Sequence, residues 1–191
     1  MARISIIGTG NMGQTLSSRF AQGGHAVESF GSSDGDKPVT GDIVVLAVPY
    51  PALAGIVAER GEQLAGKVVV DLTNPVDFQT FDSLTVPADS SAAAELATAL
   101  PSSAVLKAFN TTFAGTLASG TVGEDPTTVL IAGDDARAKE TLAQVVTSSG
   151  LRAIDAGALK RARELEALGF LQISLAAAEK VSWTGGFAVI S

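Results

Sequence analysis

Three glycines near the start of the chain, Gly8, Gly10 and Gly13, have the spacing Gly-x-Gly-x-x-Gly. They follow an apolar run at residues 4–7 and open a segment of helical periodicity at residues 12–22. In such a strand, turn and helix, the first glycine makes the tight turn, the second lets a pyrophosphate approach the backbone, and the third lets the helix pack on the strand. The pattern predicts a dinucleotide site on the free N–H groups at the helix start, and the alternative is a plain strand-to-helix turn.

The residues after the second predicted strand indicate which dinucleotide is bound. An enzyme that uses NAD usually carries an acidic residue there for the ribose 2′-OH, whereas this chain has Gly31-Ser32-Ser33. Ser32, Ser33 and the following Lys37 can donate hydrogen bonds to a 2′-phosphate, which favours NADP (NADPH). Two nearby aspartates and the lack of an arginine keep open the alternative, a solvated serine turn.

Polar and proline-containing runs follow the third, fourth and fifth predicted strands. Because the carboxyl ends of parallel strands meet at one edge of a sheet, we expect these runs to line one cleft. Asn74, Asn110 and Thr111 could hydrogen-bond a nicotinamide carboxamide, and the prolines fix the backbone beside the adenosine and pyrophosphate. Each run could instead be an Asx or proline turn that ends its strand. The cofactor-contacting residues predicted from these runs are Val48, Pro49, Tyr50, Asn74, Pro75 and Asn110.

Few side chains can act as a general acid or base. The chain has no cysteine, and its one histidine, His25, precedes the second predicted strand, so it is expected to be structural and to lie away from the cleft. Tyr50 is expected to pack against the cofactor or a partner, and Lys107 to pair with a carboxylate. No catalytic residue is assigned, and Asn110 and Tyr50 are kept as candidates. This scarcity favours hydride transfer to a flat ring, which requires stacked planes rather than side-chain acid–base chemistry.

Short valine- and isoleucine-rich runs alternate with alanine-rich segments of helical periodicity. The alternation predicts an α/β fold of Rossmann type, in which a doubly wound and mostly parallel sheet is covered by helices on both faces. Residues 31–42 are too few and too polar for a crossover helix, so the helix between strands 2 and 3 is predicted to be missing or reduced. Predicted strands cover residues 4–7, 26–30, 43–48, 68–72, 105–109, 128–132 and 152–154, and predicted helices cover residues 12–22, 52–64, 92–100, 136–148 and 158–180.

The length of 191 residues and the hydrophobic content of 46% allow one substantial core. We expect an NAD(P)-binding Rossmann domain over residues 1–111 and a small C-terminal α/β extension over residues 112–191, packed on the same sheet. The extension would complete the substrate cleft and form the interface of a homodimer. Its end, residues 183–190, is expected to form a turn and then a late edge strand or a dimer contact.

The charge of the chain bears on its partners. With 20 acidic and 13 basic residues, the formal charge is -7, which disfavours binding to nucleic acid or to anionic membranes. No apolar run approaches the ~20 residues that cross a bilayer, and the N-terminus leads directly into a strand pattern without a signal-peptide cleavage region. A cytoplasmic protein is therefore expected. A metal site is not expected, because the chain offers no cysteine and a single histidine.

Seven segments together carry a resemblance to a known family, and the last of them is more specific than the glycine pattern. They are residues 7–13, Gly31-Ser32, Val48-Pro49-Tyr50, residues 71–75, residues 107–111, residues 132–135 and the run from Asp155 to Glu166. On these segments the chain resembles the NADPH-dependent F420 reductases, also called F420-dependent NADP oxidoreductases, over nearly its whole length. The fold of that family is similar to the reductase domain of the STEAP metalloreductases.

The resemblance implies roles for individual residues. The pyrophosphate would be contacted by Thr9, Asn11 and Met12, the 2′-phosphate by Ser32 and Ser33, the adenosine side by Pro49 and the nicotinamide by Asn110. The chain departs from the family pattern at two positions. The family often has Gly-Ser-Arg where this chain has Gly31-Ser32-Ser33, and it has a histidine beside the nicotinamide where this chain has Asn110.

The motifs and the resemblance together predict an NADP(H)-binding oxidoreductase. Hydride would pass between the nicotinamide and a flat redox acceptor, such as a deazaflavin (F420) or a flavin. One alternative is a dehydrogenase of small hydroxy or imino acids, although such enzymes usually add a large helical substrate domain and the residues after Asn110 look too few for one. Another alternative is a non-catalytic NADP-binding sensor that couples occupancy to a partner protein.

Overall fold

The computed structural model describes residues 1–190, which fold around one central sheet. The strands are β1 (Arg3–Ile7), β2 (Ala26–Phe30), β3 (Ile43–Leu46), β4 (Val68–Asp71), β5 (Ala104–Lys107), β6 (Thr121–Val122), β7 (Asp125–Pro126), β8 (Thr128–Gly133) and β9 (Arg152–Gly157). The helices are α1 (Asn11–Gln22), α2 (Leu53–Leu64), α3 (Ala92–Ala99), α4 (Ala114–Ser119), α5 (Ala136–Ser148) and α6 (Ala162–Ala177). In this described part of the chain, none of the helices is long and apolar enough to span a bilayer.

Seven of the strands form one sheet in the order β2-β1-β3-β4-β5-β8-β9. Neighbouring strands are parallel at every pairing but one. The exception joins β5 to β8, where Lys107 lies opposite Ala132 in antiparallel register. The strands β8 and β9 therefore end at the edge opposite to the carboxyl ends of β1 to β5, while β6 and β7 form a separate hairpin. This architecture confirms the predicted Rossmann-type, mostly parallel sheet.

The buried strands explain why helices cover both faces of the sheet. All four residues of β3 are buried, and successive side chains of a strand point to opposite faces. Val45 packs in a cluster with Leu16 of α1, whereas Val44 packs in a second cluster with Leu53 of α2 and Leu96 of α3. Full burial of each such side chain contributes about 1.5–3 kcal/mol, so the two clusters hold the sheet between the helical layers.

The seven predicted strands and five predicted helices are all present, with ends that differ by a few residues. Residues 31–42 contain no helix, as predicted. Val39 of this connection is buried in the same cluster as Phe30 at the end of β2. The short connection therefore covers part of the sheet face that a crossover helix would otherwise cover.

The structure differs from the predictions in the C-terminal part of the chain. The sequence pattern does not predict α4 or the β6–β7 hairpin, because each is too short to show a period. The expected late edge strand is wrong, since residues 185–190 form no strand. The guanidinium of Arg152 instead donates a hydrogen bond to the Val189 carbonyl at 3.1 Å, so a side chain rather than a strand ladder holds this tail. The last helix ends at Ala177, and Glu179 beyond it adopts a left-handed backbone with φ 57.

Candidate functional site

The three glycines of the first turn differ in how closely other backbone atoms approach them. A Cβ on Gly8, which has φ +118, would lie 2.1 Å from the Ala47 carbonyl oxygen, and a Cβ on Gly13 would lie 2.0 Å from the Gly8 carbonyl oxygen. A Cβ on Gly10 would meet nothing within 4 Å. The fold itself therefore requires glycine at the first and third positions, whereas the space above Gly10 is open for a ligand.

The amide groups at the start of α1 are available to that ligand. Gly10 is the N-cap residue, and no side chain caps this helix end. The first N–H groups of a helix have no partner within the helix, and the helix dipole makes this end attractive to anions. The side-chain amide of Gln14 (Nε2) donates to the Thr9 carbonyl at 2.8 Å, which fixes the loop between strand and helix. Thr9 and Asn11 are exposed beside it and Met12 is half-buried, so the predicted pyrophosphate residues lie around one open loop.

A cavity of about 340 Å³ extends from this loop to the end of β2. Four predicted residues, Gly8, Thr9, Ser32 and Val48, line the cavity, whereas Ser33 and Lys37 do not. Its position between the ends of β2 and β3 is where the adenosine half of a dinucleotide lies in a Rossmann fold. Two residues of α2 that sequence reasoning missed, Glu59 and Arg60, line it as well.

Arg60 fixes the loop that carries the two serines. Its side chain is buried, its guanidinium carbon lies 5.2 Å from the centre of the Phe30 ring, and it donates to the carbonyls of Asp34 and of Lys37, the latter at 2.8 Å. The local sequence does not predict that Arg60 is buried and holds this loop, because a charged residue on an amphipathic helix usually faces solvent. The buried guanidinium of Arg60 thus holds the loop that follows β2.

Within the same loop, the ammonium of Lys37 lies 2.7 Å from a carboxylate oxygen of Asp34. The other carboxylate oxygen of Asp34 accepts a hydrogen bond from the Gly31 amide at 2.8 Å. The hydrogen bond from Lys37 is the main reason why the pKa of Asp34 is lowered. Lys37 is therefore engaged with its own loop rather than placed at the cavity.

The asparagines after β4 and β5 are brought together by the fold. The Asn74 amide donates to the Asn110 carbonyl at 2.8 Å, and the Asn110 amide donates to Asn74 Oδ1 at 2.9 Å. The Asn110 amide also donates to the Leu165 carbonyl of α6 at 2.9 Å. A Cβ on Gly169 of α6 would lie 2.4 Å from Asn74 Oδ1, so the helix packs directly on the pair. Within residues 1–190, Asn110 Oδ1 is the polar atom of this pair that is buried without a hydrogen-bond partner.

The residue before Asn110 has a strained backbone. Phe109 is fully buried, yet its φ is 64. For a residue other than glycine, this left-handed conformation costs about 1–2 kcal/mol, and such strain concentrates at functional sites. Its ring packs edge-on against Phe20 of α1 with the ring centres 6.0 Å apart, which helps to retain the conformation. The strained turn sets the direction in which the chain leaves β5 and thereby the position of Asn110.

Below the asparagines lies an ion cluster formed by Lys107, Asp71 and Glu166, all of which are buried. The Lys107 ammonium lies 2.8 Å from a carboxylate oxygen of Asp71 and 2.8 Å from one of Glu166. This confirms that Lys107 pairs with a carboxylate, although the sequence did not indicate which one. Glu166 also accepts hydrogen bonds from the Ala92 and Ala93 amides at the start of α3. Burial is the main reason why the pKa of Glu166 is raised.

The remaining acid–base candidates are engaged elsewhere. The Tyr50 hydroxyl donates to Glu95 at 2.6 Å, and this bond, together with burial, raises the pKa of Tyr50 to about 12. His25 Nδ1 accepts a hydrogen bond from the Ala2 amide at 3.1 Å, and its Nε2 lies 2.8 Å from the Ser148 hydroxyl. These contacts place His25 before β2, at the end of the sheet away from the glycine loop, as predicted.

Comparison with known proteins adds to this geometry, although no protein-family model matches the chain. An F420-dependent NADP reductase of Methanocaldococcus jannaschii is 30% identical over 168 residues, which cover 86% of this chain and 75% of that protein. Metalloreductase STEAP3 of Rattus norvegicus is 28% identical over 185 residues, which cover 87% of this chain and 36% of the rat protein, so the chain spans about a third of that relative's length. A crystal structure from Arthrobacter sp. FB24, described as a candidate F420-dependent NADP reductase, matches over 100% of both chains with a TM-score of 0.87 and 25% identity.

Proposed function

Since the chain belongs to the F420-dependent NADP reductase family, we propose that it transfers hydride between the nicotinamide of NADP(H) and a flat redox ring such as a deazaflavin or a flavin. Membership of the family makes the chain an NADP-dependent oxidoreductase. The identity of the acceptor and the role of each residue are the parts that we propose.

The observation that carries the proposal is the open space above Gly10 at an uncapped helix start. A helix N-terminus of this kind binds phosphate through backbone N–H groups, and a glycine without a packing role leaves room for a pyrophosphate. We propose that the pyrophosphate is held by the loop and the first turn of α1. The residues concerned are Gly8, Thr9, Gly10, Asn11, Met12 and Gly13.

The adenosine end is proposed to lie in the cavity that Val48 lines, with Pro49 and Tyr50 following Val48 in the chain. Ser32 lines that cavity. We propose that its hydroxyl and that of the adjacent Ser33 donate to a 2′-phosphate. Lys37 would join them by leaving Asp34, and the rearrangement is inexpensive because Lys37 is mostly exposed and ion pairs at the surface contribute ~1 kcal/mol or less. The nicotinamide end is proposed to lie at the turn formed by Asn74, Pro75 and Asn110.

A flat ring is the acceptor that these side chains suit. Bound NADPH supplies the hydride, and its transfer to a stacked ring requires alignment in a dry cleft rather than a general acid aimed at a carbonyl oxygen. Lys107 is buried within its ion pairs, and Tyr50, with a pKa of about 12 and its proton directed to Glu95, is a poor proton donor at neutral pH. These contacts disfavour the hydroxy acid or imino acid dehydrogenase, which requires a free acid or base.

The proposal is tested in two stages with the purified chain. Calorimetry with NADPH and NADH should show tighter binding of NADPH. Mixing the chain and NADPH with a deazaflavin, flavins, quinones and small imino or keto acids should then show oxidation of NADPH with a ring acceptor. Turnover with imino or keto acids alone would favour the dehydrogenase, and tight NADPH binding without turnover would favour the sensor. Failure to bind either coenzyme would overturn the proposal altogether.

We also propose that the chain forms a homodimer. Large apolar side chains of α6 and of the tail are half or more exposed, with Leu171 at 50%, Trp183 at 53% and Ile190 at 79%. Side chains of this kind are typical of a contact surface when they cluster. Light scattering at micromolar concentration should give twice the mass of the chain, and a monomeric mass would exclude the dimer.

A further inference from the structure

Three side-chain atoms are buried in residues 1–190 without a hydrogen-bond partner: Thr73 Oγ1, Asn110 Oδ1 and Gln172 Oε1. Thr73 is 3% exposed and Asn110 is 5% exposed. Folded proteins contain few such groups, because burying a polar atom without a partner is unfavourable. Gln172 lies under the C-terminal tail, where a Cβ on Gly186 would be 3.5 Å from its Oε1. The other two belong to the proposed nicotinamide end.

Thr73 and Asn110 follow two neighbouring strands of the sheet. Asp71 at the end of β4 is paired in register with Lys107 at the end of β5. Thr73 comes two residues after Asp71, and Asn110 comes three residues after Lys107. The bonds between the Asn74 and Asn110 side chains and backbone tie the two turns together. The two partnerless groups therefore lie at adjoining strand ends, on the carboxyl edge that also carries the glycine loop.

Thr73 is held in place from both sides by buried charges. Its amide donates to Asp71 Oδ1 at 2.8 Å, and its carbonyl accepts a hydrogen bond from the Lys107 ammonium at 2.5 Å. Both ionic side chains have no exposed surface and are also bonded to each other at 2.8 Å. The backbone of Thr73 is thus fixed by some of the strongest hydrogen bonds that a protein makes, while its hydroxyl has no partner.

The chemistry of the two groups is complementary to one ligand group. Asn110 Oδ1 is an acceptor, and the Thr73 hydroxyl can donate. A carboxamide offers an N–H donor and a carbonyl acceptor on the same carbon atom. Building on the proposed function, we propose that Thr73 and Asn110 together bind the carboxamide of the nicotinamide, with Lys107 and Asp71 as positioning residues that hold Thr73.

The test is the substitution Thr73→Val, which removes the hydroxyl and keeps the branched shape. Because the hydroxyl has no partner in the protein, the variant should unfold at a temperature equal to or higher than that of the wild type. Its Kd for NADPH should rise about threefold to tenfold, the amount expected from one hydrogen bond. Its Kd for 2′-phospho-ADP-ribose, which lacks the nicotinamide, should stay within about twofold of the wild-type value. Thr73→Ser, which retains the hydroxyl, should bind NADPH as the wild type does.

Thr127→Val is the matched control. Thr127 is fully buried like Thr73, but its hydroxyl donates to the Thr116 carbonyl at 2.8 Å. The same substitution should therefore lower the unfolding temperature and leave the Kd for both ligands unchanged. Thr73→Val should therefore weaken NADPH binding without lowering stability, whereas Thr127→Val should lower stability without weakening NADPH binding.

Three outcomes would overturn the inference. If Thr73→Val binds NADPH as well as the wild type does, the hydroxyl bonds a resident water instead of the cofactor. Equal weakening of NADPH and 2′-phospho-ADP-ribose would show a general distortion of the site. A Thr73→Ser variant as weak as Thr73→Val would show that the methyl position rather than the hydroxyl matters. Failure of the wild type to bind either ligand would instead refute the proposed function, so the two failures are distinguishable.

Discussion

The two ends of the candidate site are built in opposite ways. At the glycine loop, the structure relies on missing side chains, because Gly8 and Gly13 allow close backbone contact and Gly10 leaves space open. At the ends of β4 and β5, it relies on buried side chains whose polar groups are almost all bonded within the protein. Phosphate can be bound by backbone amides alone, whereas a small amide group requires directed partners. The turns after β4 and β5 therefore need a rigid framework that holds their side chains in place.

This difference predicts where substitutions act. Changes in the ion cluster should affect stability first, because they leave buried charges without partners. Changes at the open glycine should affect ligand binding alone. Substitutions in the ion cluster and at Gly10 therefore test whether the first mainly stabilises the fold and the second mainly leaves space for a ligand.

The largest effect is expected for Lys107→Met. Two buried carboxylates, Asp71 and Glu166, would lose their shared cation, and breaking a buried ion pair typically lowers the free energy of unfolding by about 3–5 kcal/mol. Lys139→Met is the control, since it removes an ion pair of the same length whose partner Asp155 is 60% exposed, and a loss of ~1 kcal/mol or less is expected. Urea denaturation of both variants measures the difference. Equal losses would show that the buried cluster is not a framework.

The next largest effect is expected for Gly8→Ala. The added methyl group would overlap the Ala47 carbonyl oxygen, and the φ of +118 is unfavourable for any residue with a Cβ. Together these effects should lower the free energy of unfolding by about 3 kcal/mol. Urea denaturation again provides the measurement, and a loss below ~1 kcal/mol would show that the loop can move aside without difficulty.

Gly10→Ala is the matched counterpart of that substitution. The added methyl group meets no protein atom within 4 Å, and Gly10 has an ordinary φ of -73, so the free energy of unfolding should change by no more than ~0.5 kcal/mol. The methyl group would occupy the space proposed for the pyrophosphate, and the Kd for NADPH should rise at least ~10-fold, or about 1.4 kcal/mol. Calorimetry of the folded variant measures this change. Unchanged NADPH binding would exclude the glycine loop from the proposed NADPH site.

The same contrast explains what the sequence can and cannot predict. The glycine loop is determined by residues that are adjacent in sequence, so the spacing of Gly8, Gly10 and Gly13 after an apolar run was sufficient to predict the turn from strand to helix. The strands were predicted for the same reason, because their apolar runs are local. The short helix α4 and the β6–β7 hairpin show no period, and they were found only in the structure.

The β4–β5 end could not be predicted, since it is made by contacts between distant parts of the chain. Lys107 suggested a carboxylate partner, but Glu166 is on α6, in a helix whose neighbouring Arg161 and Glu164 form an exposed ion pair. The local sequence does not indicate that Glu166 is buried and Glu164 is exposed. Arg60 is a similar case, because its carbonyl partners belong to the loop after β2. Asn74 and Asn110 were expected at the cleft, but their bonds to each other and to α6 depend on Gly169, whose role is visible only in the packing.

The smallest predicted effect lies at the far end of the sheet and concerns pH. Burial is the main reason why the pKa of His25 is lowered in the folded chain, and its Nδ1 accepts the Ala2 amide hydrogen bond. The unfolded chain, with an ordinary histidine pKa of ~6.5, then binds more protons than the folded chain as the pH falls. The contribution of His25 to stability is therefore complete above ~6.5 and is lost as the pH falls through the lower pKa of the folded state. Glu166 in the buried ion cluster has the opposite sign, because its pKa is raised and its contribution to stability declines as the pH rises.

His25→Asn separates the pH-dependent contribution of His25 to stability from that of Glu166, because asparagine keeps an acceptor near the Ala2 amide but does not titrate. Between pH ~7.5 and ~5.5, the wild type should lose more of its free energy of unfolding than the variant does, and urea denaturation at both pH values gives the difference. NADPH binding should respond equally to pH in both proteins, since His25 lies away from the glycine loop. Identical losses of stability would show that His25 has the same pKa in the folded and unfolded chains. A change confined to NADPH binding would contradict the separation between the two ends of the sheet.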